Sequence, residues 1–229
     1  MILRNDSAQA RVTARERKWN FFYRGAPILS ASARYPEVAV PASPRAQRAI
    51  NGRIRSQVAA FYRYAAGPLY RQAAADWRFA QANDTPFHPY EAILNYETAL
   101  NCGGYLSLFR DRYEYTGGAH GSTVRSSDTW ALQSGRRLPL AAFFRRGEDW
   151  RGRVLAQILK QADEAMRQNP GIYFDDYRER IETYFDPANF YLTPSGIAVY
   201  FQQYEIAPYS SGIVVFTVSG DTEPSCGGR

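Results

Sequence analysis

Lysine is almost missing from this 229-residue chain. Only Lys18 and Lys160 occur, so nearly all of the positive charge is guanidinium. Histidine is equally scarce, with His88 and His120 alone, which leaves little for acid–base chemistry near neutral pH. The two cysteines, Cys102 and Cys226, cannot build a four-ligand structural zinc site by themselves, and their spacing fits no zinc pattern. They are either a disulfide or two independent thiols. A bridge between them would close a loop of about 120 residues and stabilise by roughly 4–5 kcal/mol in the chain-entropy account. No run of about 18 apolar residues exists, so no transmembrane helix is expected. The opening Met1-Ile2-Leu3-Arg4-Asn5-Asp6 has no apolar h-region, so no secretory signal is visible. No Gly-Lys-Ser/Thr loop, dinucleotide fingerprint or metal-ligand spacing appears, and no cofactor or metal is expected.

What is present is an ordinary globular complement: 45% apolar residues and 15% aromatic, mostly Tyr and Phe, which favour half-buried strands. The net charge of +6 is unevenly placed. Residues 1–60 hold ten arginines and one lysine against Asp6, Glu16 and Glu37, a net of +8, and the remainder is near −2. Such an arm suits nucleic acid, anionic lipid or plain solvation. The arginines are not interleaved with aromatics as a nucleic-acid platform requires, so no nucleic-acid partner is expected. Residues 1–25 read as a loosely ordered basic arm carrying the aromatic knot Trp19, Phe21, Phe22 and Tyr23.

Residues 26–40 read as an extended segment, with Pro36 keeping it at an edge. Ser43-Pro44 is an N-cap with proline at the first helical position. Ile50, Ile54, Val58, Phe61 and Ala65 follow on one helical face. Gly67-Pro68 should break that helix, with a second stretch over 69–80. From Pro89 the period shifts toward two: 90–100 and 105–115 form a hairpin around Asn101-Cys102-Gly103-Gly104, and 122–132 adds a strand. A second amphipathic helix begins after Glu148-Asp149 and carries Val154, Leu155, Ile158, Leu159, Ala162 and Met166. A short helix is expected within 175–184. Strands return at 189–192, 196–201 and 213–218, and the tail from Ser219 reads as loose. Elements in blocks, not strict alternation, give an α+β fold: a mainly antiparallel sheet with two principal amphipathic helices. Residues 26–218 are expected to form one domain with subregions near 26–88 and 89–218, and 219–229 a tail.

The densest signal is Tyr113-Glu-Tyr-Thr-Gly-Gly-Ala-His-Gly121. A paired glycine after an alternating run marks positive φ or close approach. His120 could act as a base for Ser122, which lies two positions on, with Asp128 beyond, but no Gly-x-Ser-x-Gly signature accompanies them. A structural histidine in a crowded turn is the simpler reading. Asp175-Asp176 and Asp186 read as helix or turn caps before they read as paired glycosidase carboxylates.

Tyr113-x-Tyr-Thr-Gly-Gly-Ala-His-Gly121 is followed by Asn189-Phe190-Tyr191, Gly196 and Tyr204-Glu205-Ile206-Ala207-Pro208-Tyr209-x-x-Gly212. Tyr35-Pro36 and Ile50-Asn51 precede it. In this combination the chain resembles the bacterial domain that forms the extracytoplasmic part of the anti-sigma factor RsiV and that accompanies the catalytic domain of PdaC-type peptidoglycan deacetylases. The resemblance spans most of 26–218. It implies an envelope-associated, non-catalytic binding or sensor module for a lysozyme-like protein or a peptidoglycan fragment. It also implies an extracytoplasmic location. For such a module the candidate binding residues are Tyr113, Tyr115, Gly117, Gly118, His120, Tyr204, Glu205 and Tyr209. Because a lysozyme is basic, a complex would need a local acidic patch, for which Glu91, Glu97, Asp111 and Glu114 are candidates. The alternative reading is a hydrolase using His120 with Ser122 or a carboxylate.

Overall fold

The structure is a computed structural model and describes residues 9–222. Its framework is a five-stranded sheet in the order β1 (Arg11–Tyr23), β2 (Ala26–Ala39), β3 (Tyr90–Cys102), β4 (Tyr105–Tyr115), β5 (Ser122–Ala131). All neighbours are antiparallel except β2 and β3, which run parallel because the helical segment between them crosses one face. A second, three-stranded antiparallel sheet holds β6 (Phe190–Thr193), β7 (Gly196–Phe201) and β8 (Val214–Val218). The α+β class expected from the sequence is what the chain adopts.

Helix α1 (Pro44–Tyr64) starts at Ser43, whose hydroxyl accepts from the Ala46 amide, and buries Ile50, Ile54, Val58 and Phe61 on the sheet. Each such aliphatic burial contributes about 1.5–3 kcal/mol. Asn51 sits on the same face for a different reason. Pairing of β2 with β3 ends at Arg34, so Val38 would bury unpaired backbone groups; the Asn51 amide accepts from Val38 N at 2.9 Å and donates to Val38 O at 2.7 Å. Gly67-Pro68 does not break the helix. One wider turn, Ala65–Leu69, absorbs the proline, and the axis continues into α2 (Tyr70–Ala82).

Of the expected basic arm, residues 1–8 lie outside the described residues, and the rest is ordered. Arg11–Tyr23 is a full edge strand on β2, its aromatic residues Trp19, Phe21 and Tyr23 packed on α1 and α2, and Asn101 holds Ala10 by two backbone contacts. The division expected near residue 88 falls inside this sheet unit, since β2 and β3 pair across it. Among the described residues two large cores form, with a small third cluster around Tyr191, Ala198 and Tyr200. One lies between α1–α2 and the first sheet; the other gathers α3 (Trp150–Gln168), α4 (Tyr177–Tyr184) and the second sheet. Asp149 caps α3 through Gly152 N, as its position suggested. The segment after β8 is not loose as far as it is described. Asp221 pairs with Arg153 at 2.7 Å and accepts from Arg145 N, and its own amide donates to Phe143 O.

Candidate functional site

The glycine-rich motif is the turn from β4 to β5, and each of its glycines has a separate reason. Gly117 and Gly118 sit at φ +90° and +93°, where a side chain is strained. Gly121 has no such φ. A Cβ there would lie 2.5 Å from the Tyr113 ring and 2.6 Å from Glu114 O, so close packing demands glycine. The Tyr115 hydroxyl donates to Gly118 O at 3.1 Å and braces the turn.

The loop after β7 meets this turn. The His120 and Tyr209 rings stack with centroids 3.8 Å apart and planes 19° from parallel. The Tyr209 hydroxyl donates to Gly121 O at 2.9 Å, and His120 Nδ1 lies 3.2 Å from the same oxygen. With its proton on Nδ1, the imidazole keeps Nε2 as an outward acceptor. Tyr204, half exposed and held at φ +67°, lies 5.8 Å from Tyr209 between centroids. The site residues expected from the sequence thus converge, with one difference. Glu205 turns inward: its carboxylate accepts from Gln202 N at 2.6 Å, and burial raises its pKa above the ordinary carboxylate value.

Ser122 is exposed and, among the described residues, makes no hydrogen bond to His120. Asp128 is far from both in role. It is 4% exposed and held by Arg110 and Arg137, each at 3.0 Å, and by Gln57 at 2.7 Å, on the side facing α1. Asp176 pairs with Arg180, and Asp186 caps the turn at Ala188, so neither offers a free catalytic carboxylate. His88 lies exposed in the loop before β3. Among the described residues no His/Cys/Asp/Glu group is arranged to hold a metal ion.

The acidic patch is smaller than the sequence suggested. Glu91 and Glu97 are exposed on one face of β3; Tyr115 pairs with Glu91 across the strands and Tyr113 with Ile93. Asp111 is neutralised by a two-point pair with Arg125 at 2.7 and 2.8 Å, and the Arg125 guanidinium rests 4.0 Å above the Phe109 ring. Glu114 alternates to the α1 face, beside Tyr64.

Sequence reasoning passed over the seam that fixes these parts. Gln202 and Gln203 use their side-chain amides as backbone. Gln203 accepts from Thr123 N at 2.7 Å, while Gln202 accepts from Arg125 N at 2.9 Å and donates to Arg125 O at 2.8 Å. Ser107 accepts from Leu192 N at 2.8 Å, and Ser127 reaches the Phe190 carbonyl and the hydroxyl of Tyr200, whose pKa burial pushes up to about 12. Two glutamines following a strand carry no periodic signal that would have revealed this. Cys102 is disulfide-bonded; Cys226 lies outside the described residues.

The fold and seam define an α+β module of two sheet units, the second closing over the outer edge of the first. Residues 25–123 match the family model described as Deacetylase PdaC, and residues 141–221 match that described as Protein of unknown function (DUF3298). The chain thus matches both family models, PdaC over its first part and DUF3298 over its second. It is similar to a crystal structure of a DUF3298 family member from Bacteroides fragilis NCTC 9343 (17% identity, TM-score 0.65, covering 93% of this chain and 92% of that one). It is also similar to a DUF3298 family protein from Pseudomonas aeruginosa PAO1 (17% identity, TM-score 0.57, 94% and 92%). At this identity the likeness is one of fold. Among curated proteins none matches the chain. No helix among the described residues is long and apolar enough to cross a membrane.

Proposed function

We propose that this chain is a binding or sensor module of the bacterial envelope. Its partner is a protein of lysozyme-like basic character or a peptidoglycan-type glycan, and it works without catalysis of its own. The observation that supports this reading is the ledge formed by His120, Tyr204 and Tyr209, on the turn that follows Tyr115, whose cross-strand partner is the exposed Glu91. Rigid aromatic rings with polar tips are the residues that dominate protein interfaces, and exposed carboxylates such as Glu91 and Glu97 suit a basic partner even on a chain of overall charge +6. The PdaC family match supports the envelope setting.

The hydrolase alternative has less support. His120 spends Nδ1 on a backbone carbonyl, and Ser122 is not its partner. Calorimetry against lysozyme and against soluble peptidoglycan fragments tests the proposal. Binding to one of them, weakened at least tenfold by Tyr204→Ala and by Glu91→Lys with Glu97→Lys, is the expected result. No binding to either would overturn it.

A further inference from the structure

A second surface, on the far side of the first sheet unit, has the chemistry of a ligand site. Along β1 alternate residues face α1, which brings Arg17 and Trp19 to one side. Their cross-strand partners on β2 are Ala33 and Ala31, too small to fill the space beneath them. On α1, Arg55, Val58 and Tyr62 follow at spacings of three and four and face the strand pair. Between them is a cleft of about 390 Å³, lined by Trp19, Tyr35, Tyr62, Arg17 and Arg55 over a floor of Val58. That volume lies within the range of small-ligand sites.

The rings in it are splayed. Trp19 and Tyr62 have centroids 5.2 Å apart with planes 44° from parallel, and Tyr62 is 40% exposed. The cations in it lack carboxylate partners. Neighbouring charges are already satisfied, Glu37 by Arg15 and Glu16 by Lys18. Arg17 donates to the Tyr35 hydroxyl, at 3.3 Å, and among the described residues neither Arg17 nor Arg55 makes an ion pair. Two guanidinium groups with no ion pair among the described residues therefore flank the exposed Tyr62 ring, the half-buried Trp19 and a phenol.

We infer that this cleft binds a pyranose ring carrying a carboxylate. The apolar C–H face of a sugar stacks on Trp19 or Tyr62, ring hydroxyls reach Tyr35, and the carboxylate takes a two-point pair from Arg55 or Arg17. A neutral sugar would leave the guanidinium groups unused. A nucleic-acid strand needs a row of stacking residues along a basic track, and this cleft is a single pocket. The inference deepens the glycan side of the reading above, on a surface separate from His120 and Tyr209. A carboxylated ring could come from a uronic acid or from a lactyl-ether amino sugar; both share this chemistry.

Calorimetry on the full chain tests it with four probes: digalacturonate, the N-acetylglucosamine–N-acetylmuramic acid disaccharide, neutral chitobiose and a thymidine oligonucleotide. The expected result is binding of one or both acidic sugars, at least tenfold tighter than chitobiose and weakened by added salt. Whichever acid binds identifies the source. Arg55→Gln, at an exposed helix position where folding is not at stake, should weaken binding about tenfold, and Trp19→Ala should do so as well. Equal binding of chitobiose, tighter binding of the oligonucleotide, or indifference to both variants would overturn the inference. Loss of sugar binding in Tyr204→Ala with Arg55→Gln unaffected would overturn it too, while leaving the envelope reading standing. Acidic-sugar binding that depends on Arg55, in a chain that ignores lysozyme, would support this cleft and count against the protein-partner reading alone.

Discussion

His120 lies flat against Tyr209, 3.8 Å between ring centroids, and both direct a polar atom at the Gly121 carbonyl oxygen. Tyr209 reaches this acceptor across 88 positions of sequence, and the turn after β4 is locked to the loop after β7. The ledge they form is positioned by backbone, not by loop chance.

Tyr209→Phe keeps the stack and loses one hydrogen bond, at a cost of about 1 kcal/mol. Tyr209→Ala loses the ring as well and should cost about 2–3 kcal/mol, less than a fully buried aromatic because Tyr209 is half-buried. Urea denaturation of both variants checks this. Equal losses would mean that the stack contributes nothing.

Gly121→Ala forces a methyl into the Tyr113 ring and the Glu114 carbonyl, and overpacking of this kind costs about 1–3 kcal/mol. Gly118→Ala meets open space and only the strain of positive φ, about 1 kcal/mol. Melting temperatures should therefore fall further for Gly121→Ala; the reverse order would refute the packing account.

Much of this turn was legible in the sequence, because glycine reports backbone demands locally. The hairpin at Gly103-Gly104, both at positive φ, was legible for the same reason, as were the apolar faces of α1 and α3. Strand β1 was hidden. Its two-residue aromatic period is confined to Trp19, Phe21 and Tyr23, while Arg11, Arg15, Arg17 and Lys18 before them look like a charged flank. The continuity of α1 into α2 was hidden by a general rule about proline that one widened turn evades. The anchoring of Asp221 was invisible because its partners, Arg145 and Arg153, are about 70 residues away.

Glu205 gives a pH signature. Burial raises its pKa in the folded chain above the ordinary 4.5, so the native state holds its proton more tightly than the unfolded chain does. Its contribution is therefore fully present below about pH 4.5 and is lost as pH rises through the folded pKa. Glu205→Gln preserves an acceptor for Gln202 N and should flatten that decline. Urea midpoints at pH 4 and pH 7 measure it, and an unchanged difference between them would remove Glu205 as its source.

The Asp128 network separates buried from exposed pairing. Asp128→Ala leaves Arg110, mostly buried, without its carboxylate and should cost about 3–5 kcal/mol. Arg137→Gln removes a guanidinium that is 59% exposed and should cost less than about 1 kcal/mol. Chemical denaturation of the two variants decides; similar losses would show that Arg137 is not the minor partner.

Cys102 is disulfide-bonded, and we expect non-reducing peptide mapping to recover it joined to Cys226. Reduction, or Cys102→Ser, should lower stability by up to about 5 kcal/mol, as for closure of a loop of this length. A peptide map that shows Cys102 alkylated in the untreated protein would refute the pairing.

The two glutamines after β7 have a bearing on self-association. Gln203 and Gln202 occupy the outward backbone groups of Thr123 and Arg125, and the chain after β5 folds back so that Leu138 N donates to Thr129 O and Ala131 N to Arg136 O. That border of the sheet is occupied at these positions, while among the described residues no strand pairs with the outer side of the 13-residue β1. Growth of a continuous ribbon requires two open borders on every copy. A sheet with one can add a single neighbour and then stops, so the same side chains that join the two halves of the module also deny this sheet a route to fibres.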